Sequence, residues 1–433
     1  MKHPARDVWG WAFYDFANSA FATTVMAGFF PVFFKTYVSQ GVDAVVSTAR
    51  LGFANALTGI VLAVLAPWLG AMADRGGSRK GFLAAFASLG ILATASLYLV
   101  PPGLWMAAAV LYVMAVLGFS GGNIFYDALL PAVASEDRYD SVSSFGFSLG
   151  YLGGGLLFAI NLWMVFSPGT FGLSDAGQAV GFSFLTVGAW WLVFSLPLFR
   201  FVREAGGPVP ASFRESMATA GFRQVRRTLK NLKRHRTVLL FLLAYWCYMD
   251  GVDTVIRMAV DYGLSIGLEA KDLLLALLMT QFVSFPAVLA FGFLAGKGGT
   301  KRALLFGIGV YFCLSVWGAF INSREEFFIL AFIVGLIQGG VQALSRSFFG
   351  RLIPVDRPGE YYGFFNMVGK FSVILGPFLV ALTGQAARAL GAQGTLASRF
   401  GISAVALLFL AGGILLLFVD ERKGKAERTS PGF

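Results

Sequence analysis

The chain has 433 residues, of which 57% are hydrophobic and only 13% are charged, about half the charged fraction of an ordinary soluble domain. The net charge of +11 could suggest a nucleic-acid partner, but the distribution of the basic residues described below argues against one. Two cysteines within apolar runs and two histidines outside them give neither a disulfide framework nor a metal site. We therefore expect no metal, no cofactor, no nucleic-acid partner and no enzymatic activity.

The first seven residues are polar, and the apolar stretch that follows them is long enough to span a bilayer, so we interpret it as a first span and not as a cleavable signal peptide. A hydrocarbon core of about 30 Å needs roughly 20 apolar residues per helix. Twelve stretches meet this requirement, which predicts an all-α integral membrane protein. The predicted spans cover residues 9–38, 49–72, 81–100, 104–131, 144–166, 179–201, 237–262, 271–296, 302–322, 325–352, 360–386 and 398–419.

The basic residues set the predicted orientation. With both termini in the cytoplasm, 25 of the 34 Lys and Arg lie in or beside cytoplasmic segments, six lie at the outer face and three lie within spans. This asymmetry is the positive-inside rule. The central linker alone carries nine of them, which predicts a topological role and, secondarily, attraction to anionic lipid headgroups. The predicted organisation is a six-helix bundle over 1–201, a basic cytoplasmic linker over 202–236, a second six-helix bundle over 237–420 and a cytoplasmic tail over 421–433.

Two loops at equivalent places in the two halves are nearly identical. Residues 70–81 read GAMADRGGSRKG and residues 292–303 read GFLAGKGGTKRA. The start of span 1, with Asp15 and Asn18, also matches the Asp250 and Asp253 pair in span 7. Two parallel repeats of this kind are the plan of the major facilitator superfamily, and we therefore expect the major facilitator fold, with two pseudo-symmetric six-helix bundles.

The first loop also resembles the superfamily's hallmark between spans 2 and 3. The resemblance implies a latch between the two halves at the cytoplasmic side, in which an acidic side chain faces a helix start and basic neighbours. The second loop has Gly296 where the acid is expected, which predicts a weaker or absent latch there. The alternative is that the basic pairs only enforce topology. The predicted latch and cytoplasmic gate residues are Asp74, Arg75, Arg79 and Asp127.

Further motifs narrow the resemblance. Span 1 reads WGWAFYDFANSAFATTVMAGFF, span 4 ends YDALLP, span 7 carries YMDGVDT, span 10 carries QALSRS, and span 11 carries FFNMVGKFSVILGP. Together they resemble the vacuole-effluxer branch of the superfamily, which comprises autophagy-related vacuolar amino-acid exporters and their bacterial relatives. The resemblance implies a transporter in a bacterial cytoplasmic membrane. It also implies that spans 1, 4, 7 and 10 line a central cavity.

Ionisable residues within membrane spans are costly and usually mark a solute or ion pathway. The mixture of signs suits a zwitterion, because Arg346 and Lys370 can bind a carboxylate, while Asp250 and Asp253 can bind an ammonium group or a proton. Structural ion pairing, including a bridge between Asp253 and Arg257, is the alternative. The candidate solute and proton-pathway residues are Asp15, Asn18, Asp250, Asp253, Arg257, Arg346 and Lys370.

The predicted function is secondary active transport of small zwitterionic solutes, neutral or aromatic amino acids, by alternating access, with proton coupling as an open possibility. No G-x-x-x-x-G-K-(S/T) sequence is present, which argues against ATP-driven transport by this chain. The alternatives are an exporter of amphiphilic organic compounds or drugs and, more remotely, a membrane receptor that does not transport.

Overall fold

A computed structural model describes residues 5–76, 78–204, 226, 235–265, 267–354, 356–371, 375–390 and 396–428. Within these residues the chain is helical apart from short turns, and twelve helical segments are long and apolar enough to cross a membrane. The all-α membrane fold expected from the sequence is therefore confirmed. Most of the basic linker over 202–236 lies outside the described residues, so the roles predicted for it stay predictions.

The helices of spans 2 to 10 are continuous. In the first half they cover Ala44–Gly76, Arg79–Ser96, Trp105–Ala128, Tyr139–Phe166 and Ala176–Phe201, which are spans 2 to 6. In the second half they cover Arg236–Ser265, Ala270–Gly298, Thr300–Gly318 and Arg324–Leu352, which are spans 7 to 10. Span 12 consists of Leu396–Ser403 and Ala406–Leu417, and a last short helix covers Glu421–Glu427.

Span 1 is irregular. It begins as an α-helix over Ala5–Ala20 and continues with π-helical turns over Phe21–Phe29 and Phe34–Val38. In span 11 the described residues form helix over Pro358–Phe371 and over Leu375–Ala389. The sequence Gly376-Pro377 predicts a bend here, and the second helix places Pro377 in its first turn, where the missing N–H removes no intrahelical hydrogen bond.

The chain divides into two compact units. The first contains Met1–Ser135, Leu149–Phe222 and Gly359–Asn366, and the second contains Glu136–Ser148, Arg223–Pro358 and Met367–Phe433. The division does not follow chain order strictly. The start of span 5 packs with spans 7 to 10 and 12, and the start of span 11 packs with spans 1 to 4 and 6.

The first unit contains a close contact between spans 1 and 5. A β-carbon added to Gly150 would lie 2.6 Å from Ser19 Oγ, and one added to Gly154 would lie 2.8 Å from Thr23 Oγ1. Small residues at four-residue spacing allow helix backbones to approach closely in a membrane. Glycines 150 and 154 therefore seat span 5 directly against span 1.

We expect Gly154→Leu to lower the melting temperature of the purified protein in detergent, because overpacking a close contact costs about 1–3 kcal/mol. Gly52→Leu is the matched control, since Gly52 lies on an exposed face of span 2 with nothing within 4 Å of a β-carbon. Equal melting temperatures for the two variants, measured by thermal shift, would contradict the close contact.

Candidate functional site

Asp74, at the end of span 2, caps the start of span 11 within the first unit. Its Oδ1 accepts a hydrogen bond from the Gly359 amide at 2.9 Å, and its Oδ2 accepts one from the Glu360 amide at 2.7 Å. The Arg79 guanidinium donates to Oδ1 at 2.8 Å, and the aspartate side chain is only 3% exposed. The first amides of a helix have no intrahelical partner, and the helix dipole favours a negative charge there. The predicted latch residues Asp74 and Arg79 therefore act on one helix start.

Glycines make this approach possible. A β-carbon on Gly70 would overlap the Gly359 carbonyl oxygen, and one on Gly359 would lie 2.7 Å from Asp74 Oδ1. One turn later, a β-carbon on Gly363 would lie 2.5 Å from the Ala66 carbonyl oxygen. Spans 2 and 11 thus touch backbone to backbone at their ends, and larger side chains would separate Asp74 from the amides it caps.

The second loop makes the corresponding contact with a different acid. A β-carbon on Gly292, which occupies the repeat position of Gly70, would lie 2.6 Å from the Ser144 side chain at the start of span 5. Asp140, in the first turn of span 5, accepts hydrogen bonds from Thr300 Oγ1 at 2.7 Å and from the Arg351 guanidinium at 2.6 Å. The acid that Gly296 lacks is therefore supplied by the helix on which the loop packs. The expectation of a weak or absent contact at this loop is wrong.

Asp140 also accepts a hydrogen bond from Ser347 Oγ, and Arg351 donates a second one to Thr300 Oγ1 at 2.7 Å. Asp140 and Arg351 are 7% and 8% exposed. Sequence reasoning missed this cluster because it compared the loop at 292–303 only with the loop at 70–81. Asp140, an acidic residue in the first turn of span 5, was the signal that could have indicated a partner for the second loop.

The basic residues of the loops have specific partners as well. Lys80 Nζ donates to the Phe199 and Val202 carbonyls at the end of span 6, at 2.9 and 2.7 Å. Lys301 Nζ donates to the Leu417 and Val419 carbonyls at the end of span 12, at 2.7 and 2.8 Å. Each lysine caps the free carbonyls at a helix end. In both halves a lysine of the loop thus caps the end of that half's last span, although Lys301 occupies the repeat position of Arg79 and not that of Lys80.

Asp250 lies fully buried in span 7 and caps the second helix of span 11. Its two oxygens accept hydrogen bonds from the Leu375 amide at 2.9 Å and the Gly376 amide at 2.7 Å. Thr254 Oγ1 lies 3.4 Å from the same carboxylate. The predicted pathway residue thus binds the start of the helix Leu375–Ala389 in span 11.

The neighbouring candidates differ in how far the structure describes them. Lys370 is half-buried in the last turn of the helix Pro358–Phe371, and Asp253 is half-buried one turn beyond Asp250. The side chains of Arg257 and Arg75 lie outside the described residues, so the predicted bridge between Asp253 and Arg257 and the role of Arg75 stay predictions.

Arg346 is buried in span 10 and engaged by span 5. Its Nε donates to Ser143 Oγ and its Nη2 to the Ser143 carbonyl, both at 2.9 Å, and the guanidinium lies 4.3 Å from the centre of the Phe147 ring. Ser143 Oγ in turn donates to the Ala343 carbonyl at 2.7 Å. These contacts place Arg346 beside the Asp140 cluster, and its predicted solute role stays a prediction.

The polar residues of span 1 pair with span 4. Tyr126 Oη donates to Asp15 Oδ2 at 2.7 Å, and Asn18 Nδ2 donates to Asn123 Oδ1 at 2.7 Å. The Trp11 indole donates to the Tyr126 carbonyl at 3.0 Å. These bonds fix the polar face of span 1 against span 4 within the first unit.

Asp127, at the end of span 4, accepts a hydrogen bond from Asn366 Nδ2 at 3.0 Å. The predicted gate residue therefore contacts the start of span 11, as Asp74 does. Among the residues that the structure describes, no group of three or more His, Cys, Asp or Glu is placed to hold a metal ion.

Twelve apolar spans, two related loops and charges buried among the spans are the features of a membrane transporter. The fold agrees with solved major facilitator structures. The transporter FucP in the outward conformation matches at a TM-score of 0.68 and 13% identity, over 96% of this chain and 98% of that one. The proton:xylose symporter XylE bound to 6-bromo-6-deoxy-D-glucose matches at 0.68 and 12%, over 97% and 96%.

The chain belongs to the family described as "Vacuole effluxer Atg22 like", whose model matches residues 4–429. It is 37% identical to the MFS-type transporter YxiO of Bacillus subtilis (strain 168), over 97% of this chain and 96% of YxiO. It is 24% identical to autophagy-related protein 22 of Coccidioides immitis (strain RS), over 85% of this chain and 72% of that protein. The resemblance to the vacuole-effluxer branch seen in the motifs is confirmed.

We expect Asp140→Asn to destabilise the protein by about 3–5 kcal/mol, because it leaves the Arg351 guanidinium buried without its counter-charge. Asp356→Asn is the control, since Asp356 is 69% exposed and its pair with Arg357 contributes at most about 1 kcal/mol. Thermal shift of the purified variants measures both. Equal melting temperatures for the two variants would show that the buried Asp140–Arg351 pair contributes little to stability.

Proposed function

We propose that this chain is a secondary transporter that moves small zwitterionic solutes, neutral or aromatic amino acids, by alternating access. We place it in a bacterial cytoplasmic membrane with both termini in the cytoplasm. The observation that carries the proposal is the capping of both helices of span 11 by aspartates from other spans. In secondary transporters, helix starts within the membrane commonly lie at the solute or ion site, and the buried Asp250 carboxylate at the start of Leu375–Ala389 supports such a site here.

The two loop contacts support alternating access. The first consists of hydrogen bonds from the first turn of span 11 to Asp74, and the second joins Thr300 and Arg351 to Asp140 in the first turn of span 5. Such contacts can break and reform without unfolding a helix. The first uses Asp74 on span 11, and the second uses Asp140 on span 5 with Arg351 as its counter-charge. We propose that both form when the cytoplasmic side is closed and separate when it opens.

The contacts around span 11 support a zwitterionic solute. Lys370 lies in the last turn of the helix Pro358–Phe371, and Asp250 caps the start of the helix Leu375–Ala389, so a cation and an anion belong to neighbouring parts of the same span. Asp253 adds a half-buried carboxylate in the same unit. An amino acid carries both complementary charges, and the family description as a vacuole effluxer agrees with a small solute.

A thermal-shift screen of the purified protein tests the solute class. A ligand at about 100 times its dissociation constant stabilises the folded state by roughly 2.7 kcal/mol. We expect neutral or aromatic amino acids to raise the melting temperature and amphiphilic organic cations to leave it unchanged. Stabilisation by the amphiphiles alone would replace this proposal with export of amphiphilic compounds. Uptake of the hits into proteoliposomes then establishes transport.

For the first latch, we expect Asp74→Asn to increase the cytoplasm-open population. The amide keeps the size of the side chain but loses the charge that favours the helix start and Arg79, a loss of about 1 kcal/mol or roughly fivefold in the ratio of states. Spin-label distances across the cytoplasmic ends of the two bundles measure the shift, with Asp356→Asn as control. Unchanged distance distributions would count against a latch at Asp74.

For coupling, we propose that protonation of Asp250 loosens the second helix of span 11. An ionised carboxylate accepts both amide hydrogen bonds, whereas the protonated form brings a donor to a helix start that already consists of donors. The helix would then be held when Asp250 is ionised and freed when it is neutral. Proton binding and movement of span 11 are thereby linked.

We expect Asp250→Asn to abolish accumulation of solute driven by a proton gradient while solute exchange across proteoliposomes continues. A side chain that binds the solute ammonium directly should lose both activities. Asp356→Asn, at an exposed carboxylate outside the predicted pathway, is the control, and we expect it to keep gradient-driven accumulation. Wild-type accumulation by Asp250→Asn would show that this carboxylate carries no proton and that its cap is structural.

A further inference from the structure

The segment after span 12 is a packed element. Asp420 caps the helix Glu421–Glu427 by accepting from the Arg422 amide at 2.9 Å. Gly424 faces inward and is buried, and a β-carbon there would overlap the Leu352 side chain at the end of span 10. The segment was predicted to be a tail, but its described part, through Arg428, lies against the ends of other spans.

Two contacts attach this segment to the ends of spans 7 and 10. Glu427 accepts hydrogen bonds from the Thr237 hydroxyl at 3.1 Å and from the Thr237 amide at 3.3 Å, at the start of span 7. Arg428 donates to the Arg351 carbonyl at 3.1 Å, at the end of span 10. Both partners belong to the second six-span half of the sequence, so these contacts are the ordinary packing of one bundle.

A third contact goes to the first half of the sequence. Glu136, just before span 5, accepts from Lys425 Nζ at 2.9 Å and from Arg428 Nη2 at 2.7 Å. Burial alone would lower the pKa of the Lys425 ammonium, but its hydrogen bonds to Glu136 and Glu421 outweigh burial and raise that pKa. The lysine is therefore fully charged, and two cations converge on one carboxylate.

Glu136 lies one helical turn before Asp140. Arg428 donates a hydrogen bond to the backbone carbonyl of Arg351, whose guanidinium is the counter-charge of Asp140. The segment after span 12 therefore contacts both sides of the Asp140 cluster. We propose that residues Asp420–Arg428 form a clasp that holds the segment Glu136–Ser148 in the second unit. Given the alternating access proposed above, the clasp slows opening of the cytoplasmic side.

The ion pairs of the clasp are exposed enough to solvent to form and break reversibly. Glu136 is 31% exposed, Lys425 is 41% exposed and Arg428 is 18% exposed. Pairs this accessible to solvent contribute little each and weaken as salt rises. The clasp therefore adds a reversible, salt-sensitive contact to the buried Asp140 pair, and its loss leaves the bundle folded.

Hydrogen–deuterium exchange of the purified full-length protein in nanodiscs tests the clasp without knowledge of the solute. We expect Glu136→Gln to speed exchange of the amides of residues 143–148 by about two- to tenfold, since it removes both ion pairs. Glu427→Gln is the matched control, because it weakens only contacts to Thr237 and should leave these amides unchanged. High salt applied to the wild type should mimic Glu136→Gln.

Charge reversal provides the rescue. We expect Glu136→Lys combined with Lys425→Glu and Arg428→Glu to exchange more slowly than Glu136→Lys alone. Unchanged exchange of these amides in Glu136→Gln would overturn the clasp. Equally faster exchange in Glu427→Gln would also overturn it, because the effect would then come from general packing of the bundle. Exchange as expected, together with purified protein that transports none of the screened amino acids in proteoliposomes, would keep the clasp and count against the proposed function.

Discussion

A membrane interior solvates neither a charge nor an unpaired backbone group, and this constraint organises the polar residues of the chain. Span 11 illustrates it, because two aspartates from other spans accept hydrogen bonds from its backbone amides. Asp74 caps its first helix through the Gly359 and Glu360 amides, and Asp250 caps its second helix through the Leu375 and Gly376 amides. In each case a buried carboxylate needs hydrogen-bond donors, and the first backbone amides of a helix need an acceptor. The same hydrogen bonds therefore offset the cost of burying the charge and the cost of burying the amides.

The same constraint explains the glycines at these places. Gly359 and Gly376 are each the second residue of a helix, and each is in contact with the capping aspartate. A β-carbon on Gly376 would overlap Thr254 Oγ1, the hydroxyl that lies beside Asp250. A carboxylate reaches two successive amides only if the backbone itself is accessible. The two caps therefore require the two glycines as well as the two aspartates.

How far the sequence predicts this arrangement depends on the kind of partner. Apolar length predicts the twelve spans, because burial in a hydrocarbon core needs a fixed number of residues. The loop pattern predicts Asp74 and Arg79, because both partners lie within one short stretch. Asp140 was missed, because its partners Thr300 and Arg351 lie 160 and 211 residues away.

The role of Asp250 at span 11 was missed for a different reason. Its donors are backbone amides, which carry no residue signature, and Gly376-Pro377 predicts a bend without saying what caps it. Arg346 was assigned to the solute because only its charge is visible in sequence. Its contacts with Ser143 and Phe147 depend on how spans 5 and 10 pack, which periodicity does not determine.

Because these charges already have protein partners, their use in transport requires exchange of partners. A ligand or proton shifts a conformational equilibrium only by its differential affinity for the two states. A solute group that engages Asp250 must compete with the Leu375 and Gly376 amides, so its binding energy acts directly on the second helix of span 11. A solute that leaves Asp250 capped has no such effect on that helix. A buried carboxylate that is already hydrogen-bonded to a helix start therefore couples binding to helix movement better than an unbonded one does. It can bind a solute or a proton only if the helix gives up those hydrogen bonds.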